Sequence, residues 1–321
     1  MSRIYEALQR AESERTLERE ESAGGVLTSS ADVPLPPQPP LPPVAGPVRL
    51  SMSHAGSQAA VAEPHGSESP SAGPLPWNDI QEMEWLLSID KLPAIEQRGP
   101  AVEQFRSLRS RIQEFRSMNR LKSILVSSGM PQEGKSFIAA NLALSLALHK
   151  NNKVLLIDGD MRRSTLQDYF SCSCRPGLAD YLAGRAEILE IMQRPSMASK
   201  PSQAIAPIFN NFVLIPGGSG GDKAADLAGS PRFEELLRQA ESHFDWIIID
   251  SCPVLPVSDS VSMGRACDAV LLVARSGITS FPVAQRAKHE LKASNIIGFV
   301  LNAVKDPPTL NSYYAYESTT E

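Results

Sequence analysis

The stretch "GMPQEGKS", Gly129–Ser136, lies between an apolar run, "SILVSS", and a run that reads as a buried helix, "FIAANLALSLALHK". No other feature constrains the chain as strongly. It matches G-x-x-x-x-G-K-[ST], a pattern that has mechanical meaning when a strand precedes it and a helix opens within it. The glycines let the backbone wrap an anion, and backbone N–H groups at the helix N-terminus then face it. Lys135 is placed to reach terminal phosphates and the Ser136 hydroxyl to hold Mg2+. Gly129, Met130, Pro131, Gln132, Glu133, Gly134, Lys135, Ser136 and Phe137 form the expected nucleotide-binding loop, with ATP as its ligand. Lys135 is expected to face solvent when the site is empty.

The surrounding pattern predicts the fold. Apolar runs recur as "SILVSS", "KVLLID", "NFVLIP", "WIIIDS", "AVLLVA" and "IIGFVLN", with helical segments near 136–150, 230–242, 258–267 and 279–294. Such alternation predicts an α/β fold of the P-loop type, a mostly parallel central sheet flanked by helices. Two strands end in carboxylates: Asp158 and Asp160 in "KVLLIDGDMRR", and Asp250 in "FDWIIIDSCP". Ligands of open α/β sheets gather at the carboxyl ends of strands, which brings these groups towards the phosphate loop. Mg2+ takes hard oxygen ligands and shares them with phosphate. Ser136, Asp160 and Asp250 are therefore the candidate metal ligands, and Lys135, Asp158, Asp160 and Asp250 the candidate catalytic groups. Taken singly, an aspartate after a strand is as readily a helix cap. The three together with the Lys–Ser loop predict a nucleoside-triphosphatase site.

The rest of the chain divides by composition. Residues 1–22 read as an amphipathic helix, and 23–94 as a disordered linker rich in Pro, Ser, Ala and Gly, including "ADVPLPPQPPLPPVAGPV". The folded domain is expected over 95–310 and a flexible tail over 311–321. A net charge of −5 supplies no global basic field, so nucleic acid is not an expected partner. The four cysteines lack metal or C-x-x-C spacing, which points to a reduced, cytoplasmic setting. No apolar run approaches the length of a membrane span. The tail, "NSYYAYESTTE", gathers three of the six tyrosines, Tyr313, Tyr314 and Tyr316. Transfer of a γ-phosphate to water would make an ATPase; transfer to such a phenol would make a kinase. Asp158 is then the group expected to orient the phenol or take its proton.

Here the chain resembles the bacterial protein-tyrosine kinases of capsule and exopolysaccharide synthesis, the BY-kinases. "SSGMPQEGKS" looks like their Walker A segment, "LLIDGDMRR" like Walker A′ and "IIIDSCPVLPVSDS" like Walker B. "EQFRSLRSRI" fits their E-x-x-R-x-x-R motif with Glu103, Arg106 and Arg109, and the tyrosine cluster fits their autophosphorylation tail. The resemblance implies a soluble tyrosine autokinase using ATP and Mg2+. It implies a ring-like homo-oligomer, held through Glu103, Arg106 and Arg109, in which a tail enters the neighbour's site. It also implies an adenine contact from Asn302 and a separate transmembrane polysaccharide co-polymerase that activates the kinase and recruits it to the inner membrane face. A cognate tyrosine phosphatase is expected as well, and "MSRIYEALQRAE" reads as a docking helix. Phe137, where relatives have a small hydroxyl residue, and Cys252, beside the Walker B aspartate, depart from the pattern. Two alternatives share these features. ParA or MinD type ATPases would carry a second lysine where this chain has Met130, and would lack the tail. A non-catalytic nucleotide-dependent scaffold would use the tail as a docking peptide.

Overall fold

The computed structural model describes residues 79–305, apart from 86, 88–89, 97, 150–151 and 197–204. The expected N-terminal helix, most of the linker, and the tail with Tyr313, Tyr314 and Tyr316 lie outside the described residues. The described strands are β1 (Gln81–Met83), β2 (Ser123–Ser128), β3 (Val154–Asp158), β4 (Gln193–Pro195), β5 (Phe212–Ile215), β6 (Trp246–Asp250), β7 (Ala269–Arg275) and β8 (Ile296–Asn302). They form one sheet in the order β1-β4-β5-β3-β6-β2-β7-β8. Every neighbouring pair is parallel except β4 with β5. The expected mostly parallel α/β sheet is thus the observed one.

Period-two alternation distributes the strands between two apolar layers. Leu125, Leu155, Ile157, Ile247 and Ile249 face one layer, with Leu236, Leu237 and Met263 from helices packed there. Ile124, Val126, Leu156 and Ile248 face the other, with Phe105, Leu142, Leu144 and Phe170. Burial on both faces is why these strands read as unbroken apolar runs. The helix after the phosphate loop, Lys135–Ala147, is buried almost all round, so it has little amphipathic signal. The helix before β2, Pro100–Met118, starts with a proline, whose missing N–H is no loss at a first turn, and buries Val102, Phe105 and Ile112. We call these α2 and α1 respectively. Further helices are α3 (Leu166–Phe170), α4 (Leu178–Leu182), α5 (Ala206–Asn211), α6 (Ala224–Ala228), α7 (Pro231–Glu241), α8 (Asp259–Ala266) and α9 (Phe281–Glu290).

The packed fold begins earlier than the expected boundary at 95. Ile80, Trp85, Leu92 and Ala94 are buried, and β1 pairs with β4. Trp85 meets Phe170 and Phe212 at ring-centroid distances of 5.1 and 5.8 Å. The tie is a buried polar residue in the middle of α2. Asn141 Oδ1 accepts from Ala94 N (3.0 Å), and its Nδ2 donates to Lys91 O (3.2 Å) and Phe137 O (2.9 Å). Local periodicity in 79–94 is too weak to announce this, because the partners lie some fifty residues on. Leu92→Ala should therefore lower unfolding free energy by about 2–5 kcal/mol in urea titration. A change below about 0.5 kcal/mol, the size of a surface substitution, would return the segment to the linker.

Candidate active site

Five strand ends, those of β2, β3, β6, β7 and β8, contribute to the site. β2 runs into the phosphate loop, and in register Val126 lies opposite Asp250 and Asp158 opposite Asp250. The two carboxylates are thus set side by side by sheet pairing alone. The loop is braced from outside by β7 and β8. Arg275 Nη1 donates to Gln132 O (3.0 Å), and Asn302 Nδ2 donates to Glu133 O (3.0 Å). The buried Glu133 carboxylate accepts from Met130 N (2.9 Å) and from the Thr279 hydroxyl. Gly134 has φ +95°, and a Cβ there would stand 2.0 Å from Asn302 Nδ2, so only glycine fits. Ile138 N already donates to Gly134 O (3.0 Å), so α2 starts directly on the loop and presents its first N–H groups there.

Lys135 does not face solvent as expected. Its side chain is 13% exposed, with Nζ 3.2 Å from Asp160 Oδ2 and 3.9 Å from Asp250 Oδ1. It also lies 3.2 Å from Ser136 Oγ. The two carboxylates draw it inward. Asp250 is fully buried, and neither carboxylate oxygen has a hydrogen-bond partner among the described residues. Burial raises its carboxyl to about 6, against the pull of Lys135.

Asp158 is differently placed. It too is fully buried, but its Oδ2 accepts from Ser164 Oγ (2.7 Å), Thr165 N (3.1 Å) and Leu166 N (3.1 Å), and Oδ1 accepts from Asp160 N (3.1 Å). Burial and then Asp250 push it up to about 7 despite those donors. Asp158 ties down the segment Gly159–Leu166 from beneath. Gly159 passes so close to β6 that a Cβ would lie 2.6 Å from Asp250 O. Asp160 Oδ1 accepts from Arg163 N (3.0 Å). Arg162 forks onto Asp259 at 2.9 and 3.3 Å.

Above these groups opens a cleft of about 660 Å3. Pro131, Gln132, Gly134, Lys135, Ser136, Phe137 and Asp160 line it; Gly129, Met130, Glu133, Asp158, Asp250 and Asn302 do not. Asn302 was expected against adenine. Its side chain instead braces the loop, and its Oδ1 accepts from Ala303 N (2.8 Å). Sequence reasoning did not single out Thr165, Asp168 and Tyr169, which also line the cleft. They follow "DGDMRR" within ten residues, the one signal that pointed their way.

Glu103 and Arg106 pair with each other along α1. Arg109 Nη1 donates to Ser145 O (2.7 Å), and burial holds this guanidinium below its usual range. Arg109 therefore docks α1 onto α2 within its own subunit. Cys252 is buried against Ser260 Oγ (3.0 Å), and burial pushes its thiol up to about 11, which makes it a packing residue.

The donor set suits a hard divalent cation. Ser136 Oγ, Asp160 Oδ2 and Asp250 Oδ1 lie 3.2, 3.2 and 3.9 Å from Lys135 Nζ, where a cation already sits among them. Among the described residues no group of three or more His, Cys, Asp or Glu could hold a metal unaided. A cation there would complete its shell with phosphate and water.

Residues 123–283 match the family described as an AAA domain. The chain is 32% identical over 222 residues to the tyrosine-protein kinase YwqD of Bacillus subtilis (strain 168), covering 68% of this chain and 87% of that protein. The chain belongs to the bacterial tyrosine-protein kinase family. Another family member, tyrosine-protein kinase etk of Escherichia coli (strain K12), is 33% identical over 217 residues. That match covers 66% of this chain but 28% of etk, so the chain spans little more than a quarter of that relative. The structure titled as the kinase domain of Escherichia coli tyrosine kinase ETK superposes with a TM-score of 0.60 at 30% identity, covering 68% of this chain and 83% of that one. Among the described residues no helix is long and apolar enough to cross a membrane.

Lys135→Met leaves two buried carboxylates without their cation. Urea titration of the nucleotide-free variant should show a loss of about 1–3 kcal/mol, less than a rigid buried pair would lose because Asp250 can take up a proton. Calorimetry should show no Mg-ATP binding. Unchanged stability with binding intact would mean that Lys135 is not the residue that neutralises this floor.

Proposed function

We propose that the chain is an ATP-dependent protein-tyrosine autokinase, acting on Tyr313, Tyr314 and Tyr316 of a neighbouring copy. The observation that carries this reading is Lys135, buried between Asp160 and Asp250 at the floor of a cleft, in a member of a tyrosine-protein kinase family. The loop N–H groups and the start of α2 suit the β- and γ-phosphates. Lys135 would exchange its carboxylate partners for phosphate oxygens. Ser136, Asp160 and Asp250 would hold Mg2+, which when bound neutralises charge on the phosphates. The phenol oxygen forms a bond to the γ-phosphorus as the bond to the β–γ bridging oxygen breaks. ADP leaves with that electron pair, and the phenolic proton is released to water. Positioning dominates such a transfer. Asp158 contributes by holding Gly159–Leu166, and with it Asp160 and the rim residue Arg163, rather than by touching the phenol.

The arrangement of the whole assembly is part of the same proposal. The kinase domain spans about 79–310, with the tail reaching a neighbour in a ring of copies. A membrane co-polymerase activates it and draws it to the inner membrane face, and a phosphatase resets the tail. Each phosphate adds about −1.5 to −2 charge near an acidic floor, which would expel the tail and loosen the ring. Because Arg109 anchors its own helix, the interface role falls to Glu103 and Arg106.

Incubation with Mg-ATP followed by intact-mass measurement should add phosphates that peptide mapping places on Tyr313, Tyr314 and Tyr316. The variant with all three changed to Phe should gain almost none. Hydrolysis of ATP without any protein-bound phosphate would favour an ATPase instead. Separately, E103A/R106A should shift the unphosphorylated protein towards monomer in analytical ultracentrifugation while its melting temperature changes little. An unchanged distribution would remove this face from the interface.

A further inference from the structure

We propose that the acceptor end of the cleft is an aromatic slot, with Phe137 and Tyr169 as one wall and Pro253, Pro256 and Val257 as the other, and that it selects a phenol over an aliphatic hydroxyl. This rests on the kinase reading above. All five residues line the one cleft that holds Lys135 and Asp160. The walls come from opposite faces of the sheet. Phe137 and Tyr169 pack with the layer that carries α2 and α3, whereas Val254 and Leu255 root the other wall in the opposite layer. Lys135 and Asp160 thus lie on the floor between two apolar sides.

The loop's bracing says which end this is. Arg275 and Asn302 hold Gln132 and Glu133 from the β7 and β8 side. Lys135 points the other way, to Asp160 just after β3 and Asp250 at the end of β6. Thr165 and Tyr169 follow β3 in the chain and Pro253 follows β6, so they line the side of the cleft towards which Lys135 points. Phosphate has no use for apolar walls there; a flat ring does. Phe137 is held rigid against Phe105, with ring centroids 5.7 Å apart. Tyr169 lies on α3, the helix that follows β3, and lines the cleft from that side. Burial raises its phenol, which keeps it neutral.

A second observation points to a ligand. Thr165 lines the cleft, yet its Oγ1 is buried with no hydrogen-bond partner among the described residues. A phenolic hydroxyl arriving between the walls would supply one once the Thr165 side chain turns its hydroxyl out into the cleft. Tyrosine carries its hydroxyl at the far end of a rigid ring and reaches the floor with its backbone outside. Serine or threonine would have to bring backbone N–H and C=O groups between apolar walls, where nothing pairs with them.

The test uses the full chain with Tyr313, Tyr314 and Tyr316 changed to Phe, and a synthetic peptide of residues 308–321 as acceptor. Tyr169→Ala should raise the KM for peptide by about 10- to 100-fold, with KM for Mg-ATP within twofold of the parent. Tyr169→Phe should restore peptide KM. Val257→Asp, which charges the opposite wall at a half-exposed position, should raise peptide KM in the same way and covers the case in which Tyr169→Ala melts early. Peptides with Ser in place of Tyr should take no phosphate. Unchanged peptide KM in both wall variants overturns the slot, and so does a matching rise in the KM for ATP, which would assign the walls to the nucleoside. Failure of the underlying kinase reading shows separately, in the parent enzyme: it would bind Mg-ATP and phosphorylate neither the peptide nor, in wild type, its own tail.

Discussion

One register between two parallel strands governs the site. Asp158 at the end of β3 lies opposite Asp250 at the end of β6. Two buried carboxylates at that spacing repel each other and raise each other's pKa. The fold answers the pair in two different ways. Asp158 receives donors from Ser164 and three backbone N–H groups. Asp250 makes no hydrogen bond of good geometry among the described residues and is eased chiefly by the charge of Lys135, with Ser136 and the Ser251 N–H as weaker help. The saturated carboxylate fixes the shape of a loop, and the unsaturated one is left for a ligand. Chain tracing and chemistry are separated by that asymmetry, although both residues occupy equivalent positions at strand ends.

Much of this fold was legible because of how its strands are buried. Five strands buried on both faces, and the partly buried β8 beside them, leave unbroken apolar runs, and four helical segments between them were legible as well. β1 and β4 are three residues long, too short to display any period, and both lie towards one edge of the sheet. The short helices α3 to α6 have at most six residues each, so no amphipathic stripe repeats within them. The expected linker ran through 94 because the apolar residues of "EWLLSIDKLPAI" keep neither a two-residue nor a helical period. The burial of Trp85 and Leu92 is decided by Asn141 and Phe170, which local pattern cannot reveal.

The site divided along the same line. The loop and its aspartates were visible because the motif is local. What each residue does depends on partners far along the chain. Asn302 reaches back 169 residues to brace Glu133, and Arg109 reaches forward 36 to hold Ser145. Spacing along α1 placed Glu103, Arg106 and Arg109 on a shared face but could not say that one of them faces inward. Lys135 was misplaced for a related reason. An isolated lysine prefers water, and only the sheet register brings two carboxylates close enough to overturn that preference.

A buried, unpartnered carboxylate is costly in the protein without ligand, since nothing replaces the water it has lost. That cost explains why the Asp250 carboxyl is driven to about 6 and why Lys135 bends towards it. A site that satisfied Asp250 internally would be more stable and would have nothing to offer a cation. The strain therefore belongs to the function: it is relieved when ligands that carry positive charge and phosphate arrive together, and it biases the floor towards that joint arrival. A phosphate alone would meet three carboxylates, and a cation alone would meet Lys135 in its place. Only the pair lets Lys135 turn from carboxylate to phosphate while the carboxylates keep a countercharge. The requirement for both at once follows from the register of β3 and β6 and from how weakly Asp250 is satisfied among the described residues, where neither of its oxygens makes a hydrogen bond of good geometry.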